Sequence, residues 1–386
     1  MSPVDAAASD TAEEAAGARH STGILPYQTI RAMIRGGEIE ADTPVLEQQV
    51  QPASIDLRLG DVAYRVRASF LPGPDCTVRE KIERFGMHAI GLTQGAVLEK
   101  DCVYIVPVME RLRLSRTISG IANPKSSTGR LDVFTRLIAD HATEFERVDR
   151  GYQGPLYVEI SPRAFSVVVR AGSRLNQLRF RRGSPSHSDA AIRRLHERVG
   201  LIDRVLDPEK VANGLPLTVD LVGVKGADLI GYKAKTHTGL IDLDRVGQYP
   251  AEEYWEPIPV SKDRGIILNP GDFYILASKE AVTVPPDHAA EMLAYDTTVG
   301  EFRAHYAGFF DPGFGFAATG GSGTRAVLEV RSHSVPFLVE DGQVVGRLVY
   351  ERMTDVPDKL YGAGIGSNYQ RQGLALSKHF VIGDGA

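Results

Sequence analysis

The sequence predicts a mainly β protein made of two similar units in tandem, with a few short helices. Short runs rich in Val, Ile, Leu, Tyr and Phe end at Gly, Pro, Asn or Asp about every 8–12 residues, which is typical of a β-sandwich or barrel. Helical spacing of apolar residues is clearest in two short segments, 26–35 and 188–199. This pattern disfavours an alternating βαβ fold.

The tandem organisation rests on an internal repeat. Four segments of the first half match segments of the second half in the same order, at a nearly constant offset of 164 to 170 residues. The matched pairs are 52–60 with 216–223, 103–106 with 273–276, 158–160 with 328–330, and 169–180 with 339–350. Ordered matches at a nearly constant offset indicate a duplicated structural unit.

Composition limits the possible functions. The chain has 386 residues and a net charge of −5, which argues against a general nucleic-acid-binding protein. No apolar run is long enough to cross a bilayer. The two cysteines, Cys76 and Cys102, cannot form a disulfide framework and fit a reducing cytoplasm. They also form no C-x-x-C pair, so the sequence lacks the signature of zinc-dependent nucleobase deaminases.

The most informative motif is a basic, hydroxyl-rich turn followed by a glycine-containing hairpin. The turn is Lys-Ser-Ser-Thr-Gly-Arg at 125–130, and the hairpin is Asp-Arg-Gly-Tyr-Gln-Gly at 149–154. Ten residues after Asp149, Glu159 interrupts an apolar strand. Burial of a lone carboxylate is costly, so such a glutamate either lies on the wet face of its strand or has a function. By itself, the turn is also compatible with an ordinary polar loop.

Together these motifs resemble the nucleotide-binding motifs of dCTP deaminases, in the dUTPase superfamily. In that family a Lys/Arg-Ser-Ser-x-Ala/Gly-Arg-Leu stretch precedes an Asp-x-Gly-aromatic-x-Gly hairpin that ends in a catalytic Glu. The resemblance implies two tandem dUTPase-like distorted jelly-roll β-barrels and active sites between neighbouring barrels. It implies hydrolytic deamination of dCTP to dUTP and ammonia without protein-bound zinc, in which Mg²⁺ is bound through the substrate triphosphate.

The resemblance also implies a role for each matching residue. Glu159 matches the general base, and Ser126 and Arg130 match the residues that hold the water and the glutamate. Lys125 and Ser127 match contacts to the triphosphate. The other expected substrate contacts are Asp149, Tyr157, Val158, Asp311, Val327, Tyr369, Gln370 and Gln372. The expected partners are dCTP, dUTP and a dTTP feedback inhibitor, with neither nucleic acid nor membrane.

The second unit departs from the family pattern. Its counterpart of the basic turn, Tyr-Asp-Thr-Thr-Val-Gly-Glu at 295–301, carries two carboxylates that would repel a triphosphate. It keeps an Asp-Pro-Gly hairpin at Asp311 and a glutamate at Glu329, but an insertion at 317–323 stretches their spacing to 18 residues. Glu329 is therefore an alternative base. We expect the first units to pair with one another through Glu159, and the alternative places the turn 125–130 opposite Glu329.

These observations predict the organisation of the whole chain. The expected parts are a disordered tail over 1–22, a first barrel with intact motifs over 23–183, a helical linker over 184–213, a second, partly degenerate barrel over 214–355, and a C-terminal lid over 356–386. We expect a homotrimer with two stacked rings of barrels and an inactive monomer, with a dimer or a pair of trimers as the alternatives. The other functions left open are a bifunctional dCTP deaminase and dUTP diphosphatase, a plain dUTPase, and a non-catalytic deoxynucleotide-binding regulator.

Overall fold

A computed structural model describes residues 19–184, 188–223, 227–293, 302–304, 308–319, 321–332, 335–362 and 373–383. Strands dominate these ranges, which confirms the predicted mainly β class. They form two units, which we call the first barrel (residues 23–182) and the second barrel (residues 215–352). No helix within the described ranges is long and apolar enough to span a membrane.

The first barrel is built from two large antiparallel sheets. Its strands are β1 (Gly23–Ile24), β2 (Ile39–Ala41), β3 (Ile55–Leu57), β4 (Val62–Val66), β5 (Gly86–Gly91), β6 (Ala96–Leu98), β7 (Val103–Arg113), β8 (Ile118–Pro124), β9 (Val133–Ala139), β10 (Arg147–Val148), β11 (Gln153–Pro162), β12 (Val167–Val169) and β13 (Asn176–Arg182). One sheet has the order β1-β13-β8-β10, with β3 also on β13, and the other has the order β5-β4-β7-β11-β9, with β2 also on β7.

The second barrel repeats this plan. Its strands are β14 (Leu215–Thr218), β15 (Leu229–Ala234), β16 (Ile241–Asp242), β17 (Tyr249–Pro250), β18 (Trp255–Pro259), β19 (Gly265–Leu268), β20 (Phe273–Val282), β21 (His288–Leu293), β22 (Phe302–Ala304), β23 (Phe309–Phe310), β24 (Thr324–Ser332), β25 (Phe337–Glu340) and β26 (Val344–Arg352). A last strand, β27 (Phe380–Val381), follows the barrel near the C-terminus. The main sheets of the second barrel have the orders β14-β26-β21-β23 and β18-β15-β20-β24-β22.

Strand register confirms the repeat at the level of single residues. Glu159 on β11 lies opposite Ile105 on β7, and Glu329 on β24 lies opposite Ile275 on β20, 170 positions later in each case. The same offset relates the pairing of β13 with β8 to the pairing of β26 with β21. The two glutamates therefore occupy equivalent places in the two barrels.

The helices are short, and the sequence explains where they begin and end. They are α1 (Tyr27–Arg35), α2 (Val78–Phe85), α3 (Ser126–Gly129), α4 (Asp189–Val199) and α5 (Ala251–Tyr254). Helix α4 begins after Ser188, whose hydroxyl caps it, and ends at Gly200 in the left-handed conformation. Its buried Ile192 and Leu195 belong to the core of the second barrel. The segment predicted as a linker thus contributes to that core.

Residues 241–255 of the second barrel, which we call the arm, pack on the first barrel. Strand β16 pairs in parallel with β12 of the first barrel, and β27 near the C-terminus pairs with β17 of the arm. Trp255, which is 1% exposed, contacts Phe165 and Phe380 edge-on with ring centroids 5.4 Å and 5.7 Å apart. One apolar core therefore joins the first barrel, the arm and the C-terminal strand.

Candidate active site

The basic turn 125–130 of the first barrel forms one helical turn at the end of β8. Lys125 precedes α3 in an extended conformation, and its ammonium group forms an ion pair with the buried carboxylate of Asp56. The Thr128 hydroxyl donates to the carbonyl of Leu175 at 3.0 Å, which fastens the turn to the loop before β13. Arg130 is 6% exposed and donates to the carbonyl of Ala375 at 3.2 Å. The turn is therefore held rigidly from several sides.

Glu329 of the second barrel reaches this turn. Its carboxylate lies 4.0 Å from Arg130 Nε, and a Cβ atom on Gly129 would lie 3.2 Å from the same carboxylate. This close approach leaves room for only a small residue, which fits the Ala/Gly that the family motif has at the fifth position. Next to this contact, Asp132 of the first barrel forms a buried ion pair with Arg331 of the second. The structure thus brings the turn 125–130 and Glu329 together within one chain.

Burial sets the protonation of Glu329. The side chain is 7% exposed, and its burial raises the pKa from 4.5 to about 8. The Arg130 guanidinium opposes this rise, whereas the Asp132 carboxylate adds to it. A carboxyl group with a pKa near neutrality can both accept and donate a proton, which is what a proton shuttle requires.

Glu159, the base that we favoured from the sequence, has a different environment. It is 1% exposed on β11, and Arg136 of the neighbouring strand donates to its Oε1 from Nη2 at 2.6 Å and from Nε at 3.1 Å. The Arg136 guanidinium lies 3.6 Å from the centre of the Phe145 ring. Its own barrel therefore compensates the charge of Glu159, and within the chain the turn 125–130 faces Glu329 instead. The pairing of first units of different chains through Glu159 stays a prediction.

The hairpin at Asp311 also reaches the first barrel. Asp311 follows β23, is 9% exposed and accepts a hydrogen bond from Arg179 of β13 at 3.2 Å. Burial raises the pKa of its carboxyl group, although the Arg179 guanidinium opposes the rise. Val327, two residues before Glu329, is partly buried on the same face of β24 and packs against the core that includes the first barrel.

The other predicted contacts are dispersed. Tyr157 and Val158 are buried inside the first barrel, at 4% and 1% exposure. Asp149 borders a groove of about 590 Å³ between the two barrels, which Glu351 of the second barrel also lines and to which the turn 125–130 does not contribute. Tyr369, Gln370 and Gln372, predicted in the lid, lie outside the described residues.

A basic cavity of about 330 Å³ opens beside the turn. Lys125 and Ser127 line it, together with Arg174 of the loop before β13 and Lys378 of the C-terminal segment. Burial lowers the pKa of Lys378, and the nearby cations of Lys125 and Arg174 lower it further. Such crowding of positive charge suits a polyanion. We missed Arg174 and Lys378 in the sequence because neither lies in the motifs that carry the resemblance.

The C-terminal segment is fastened to the same turn. The Ser377 hydroxyl lies 2.9 Å from the carbonyl of Ser127 and 2.9 Å from His379 Nδ1, so it bonds to the turn directly or to the adjacent imidazole. Burial lowers the pKa of His379 to about 4, so the imidazole is neutral at pH 7. Residues 373–383 thus fix the second barrel's tail beside the cavity.

Comparison with known families assigns both halves of the chain to one family. The model of the 2'-deoxycytidine 5'-triphosphate deaminase N-terminal domain matches residues 21–184, and the model of the C-terminal domain of the same family matches residues 188–380. The chain belongs to the dCTP deaminase family. This assignment confirms the resemblance seen in the motifs, the tandem form and the expected class of enzyme.

Individual dCTP deaminases support the assignment. The crystal structure of 2'-deoxycytidine 5'-triphosphate deaminase from Agrobacterium tumefaciens is 54% identical, covers 86% of this chain and 100% of that chain, and superposes with a TM-score of 0.83. A dUMP-forming dCTP deaminase from Beutenbergia cavernae is 32% identical over 130 residues, which are 32% of this chain and 64% of the relative. A dCTP deaminase from Natronomonas pharaonis is 28% identical over 190 residues, which are 48% of this chain and 89% of the relative.

Proposed function

We propose that the chain deaminates dCTP hydrolytically at one site made by both of its barrels, with Glu329 as the general base. The observation that carries this proposal is the buried Glu329 carboxyl group, with a pKa of about 8, beside Gly129 and Arg130 of the first barrel. Ser126 and Arg130 keep the roles implied by the family resemblance. Glu159 is then a structural residue, because Arg136 already compensates its charge.

The proposed reaction adds water and removes ammonia. Glu329 accepts a proton from a water molecule as the water oxygen bonds to C4 of the cytosine ring, and the glutamic acid then donates this proton to N3. A second proton passes from the added hydroxyl group to the amino group, the C4–N bond breaks, and ammonia leaves a uracil ring. Arg130 limits the pKa of the carboxyl group, so that the ionised form is accessible at neutral pH.

The triphosphate is proposed to occupy the basic cavity. Lys125, Arg174 and Lys378 supply positive charge, and Ser127 supplies a hydroxyl group. A triphosphate carries Mg²⁺ at neutral pH with few protein ligands, so Mg²⁺ is expected to enter with dCTP. The cavity and Glu329 both adjoin the turn 125–130, so that turn can align the triphosphate and the base.

The second candidate is a bifunctional enzyme that also hydrolyses dUTP to dUMP. The relatives from Beutenbergia cavernae and Pseudarthrobacter chlorophenolicus are called dUMP-forming, which favours this alternative. The test is incubation with dCTP and Mg²⁺, followed by separation of dUTP, dUMP, ammonia and pyrophosphate. Ammonia with dUTP supports deamination alone, and dUMP with pyrophosphate supports the bifunctional reaction. Binding of dCTP without ammonia would contradict the proposal and indicate a regulator.

The composite site changes the expectation for assembly. Because one chain supplies both the turn 125–130 and Glu329, we propose that a monomer holds a complete set of these residues. A homotrimer, dTTP feedback and a cytoplasmic location stay predictions. Active monomers in light scattering would support a site within one chain, and loss of activity on dilution would oppose it.

A further inference from the structure

Arg179 of the first barrel is buried against the second barrel. It is 0% exposed, and its guanidinium donates to the carbonyl of Ala290 at 3.0 Å and to Asp311 at 3.2 Å. The guanidinium carbon lies 3.9 Å from the centre of the Phe309 ring. These partners belong to β21, β23 and the residue after β23. The single Arg179 side chain therefore binds both strands at the start of the Asp311 hairpin. The counterpart of Arg179 in the second barrel is Val349, which cannot form such bonds.

Arg181 makes a second charged contact between the barrels. Its Nη2 lies 2.8 Å from Glu351 and 3.1 Å from Glu291, both of the second barrel. Arg181 and Glu351 occupy equivalent positions of the repeat, because Arg181 lies opposite Ser119 and Glu351 lies opposite Ala289, 170 positions later. The same position of the two barrels thus carries opposite charges, and the two side chains meet.

This asymmetry discriminates between ways of pairing barrels. In the same geometry, two first barrels would place Arg181 against Arg181. Two second barrels would place Glu351 of one copy against Glu351 and Glu291 of the other. Like charges at close range disfavour both arrangements, and only the unlike pair has complementary charge.

We infer that Arg179 and Arg181 are positioning residues that select the pairing of a first barrel with a second barrel and hold the Asp311 hairpin, and with it the strand of Glu329, beside the turn 125–130. This inference rests on the proposed function only in naming Glu329 as the group that is positioned. It explains why one chain builds its own site and why like-with-like rings of barrels are disfavoured.

The test exchanges the charges of Arg181 and Glu351, which line the groove that the predicted substrate contact Asp149 also borders, so its control variant lies in the same groove. Arg181→Glu would place a third carboxylate beside Glu291 and Glu351, and Glu351→Arg would place a second guanidinium beside Arg181. Each single variant is expected to lower kcat/KM by about 10²-fold, the loss caused by a misplacement of about 1 Å. The double variant Arg181→Glu/Glu351→Arg restores the opposite charges and is expected to recover most of the lost activity.

A matched control and a second readout separate positioning from general damage. Arg147 is an exposed arginine that lines the same groove as Arg181 and pairs within its own barrel with Glu144 at 2.9 Å. Arg147→Glu should therefore leave activity unchanged. In the single variants, amide hydrogen exchange should accelerate in β21 and β23, and the acid limb of kcat/KM should move to lower pH as Glu329 becomes hydrated. Partial unfolding alone would lower activity without moving the limb.

The possible outcomes are distinct. Single variants with unchanged activity and unchanged hydrogen exchange, or a double variant no better than the single variants, would overturn the inference. Turnover that survives Glu329→Gln would instead overturn the proposed base, and it would leave the result of the charge exchange on hydrogen exchange intact. If Arg179→Met folds, it should slow turnover in the same manner. Arg179→Lys should retain part of the activity, because its ammonium group keeps the charge and N–H donors, although it lacks the planar guanidinium.

Discussion

Replacing each of the two equivalent glutamates by glutamine should have opposite effects on activity and stability. Burial raises the pKa of Glu329 from 4.5 to about 8, so between these values the folded protein binds a proton that the unfolded chain has released. Stability therefore falls as pH rises through this window. The cost is about 3 kcal/mol at pH 7 and about 5 kcal/mol above pH 8, at 1.36 kcal/mol for each pH unit. Glu329→Gln removes this cost.

Glu329→Gln should lower turnover by about 10²–10⁴, the range for a lost general acid or base, because it removes the proposed base. It should also raise the free energy of unfolding by up to about 3 kcal/mol at pH 7, with no gain at pH 4. Glu159→Gln should behave in the opposite way. It leaves Arg136 without its carboxylate, which should cost about 1–3 kcal/mol of stability, while turnover stays near that of the unchanged enzyme.

Ammonia release from dCTP measures turnover, and urea unfolding at pH 4, 7 and 9 measures stability. A binding assay with dCTP should show that both variants retain substrate affinity. The reasoning would be refuted if Glu159→Gln abolished turnover while Glu329→Gln did not. It would also be refuted if Glu329→Gln destabilised the protein equally at all three pH values, because burial of the ionised carboxylate would then carry no cost.

Three further predictions follow from the same contacts. The acid limb of kcat/KM should have a midpoint near pH 8, the pKa of Glu329. Asp132→Asn should move this limb to lower pH, because the Asp132 carboxylate raises the pKa of Glu329 and asparagine tolerates the left-handed φ of 52°. An unmoved limb would show that Glu329 does not set it. Gly129→Val should lower kcat by about 10²-fold, because its branched side chain would displace the Glu329 carboxylate, which lies 3.2 Å from the Cβ position. Gly91→Val, with open space around it, should have no effect, and equal activities of the two variants would contradict the close approach. A mixture of Arg130→Ala and Glu329→Gln chains should recover no activity, since both residues must come from one chain; recovery would show sites shared between chains.

The tandem repeat and the β class could be predicted from the sequence because both depend on local residue patterns. Alternating apolar runs mark the strands, and a constant offset places Glu159 and Glu329 at the same register. Ser188 before α4 and Gly200 after it are ordinary cap signals, and the helix has the predicted extent. Helix α2 was missed although Thr77 and Glu80 form a capping box, because the segment lies between strand signals that dominate the pattern.

The sequence could not predict which glutamate is the base, because the motif spacing within one barrel does not reveal which barrel packs against the turn 125–130. The insertion at 317–323 stretches the spacing from Asp311 to Glu329 to 18 residues, yet β24 runs from Thr324 to Ser332 and places Glu329 at the turn 125–130. The deciding contacts are non-local: Arg136 compensates Glu159 across a strand pair, and Arg181 meets Glu351 across the barrels. Opposite charges at equivalent repeat positions were visible in the sequence and would have indicated unlike pairing.

The most direct test of a single site built by both barrels is a crystal structure of the Glu329→Gln variant with dCTP and Mg²⁺. The account predicts cytosine C4 beside residue 329 and Ser126 of the same chain, with the triphosphate against Lys125 and Lys378. Cytosine bound beside Glu159, or between Glu159 and the turn 125–130 of another chain, would contradict it.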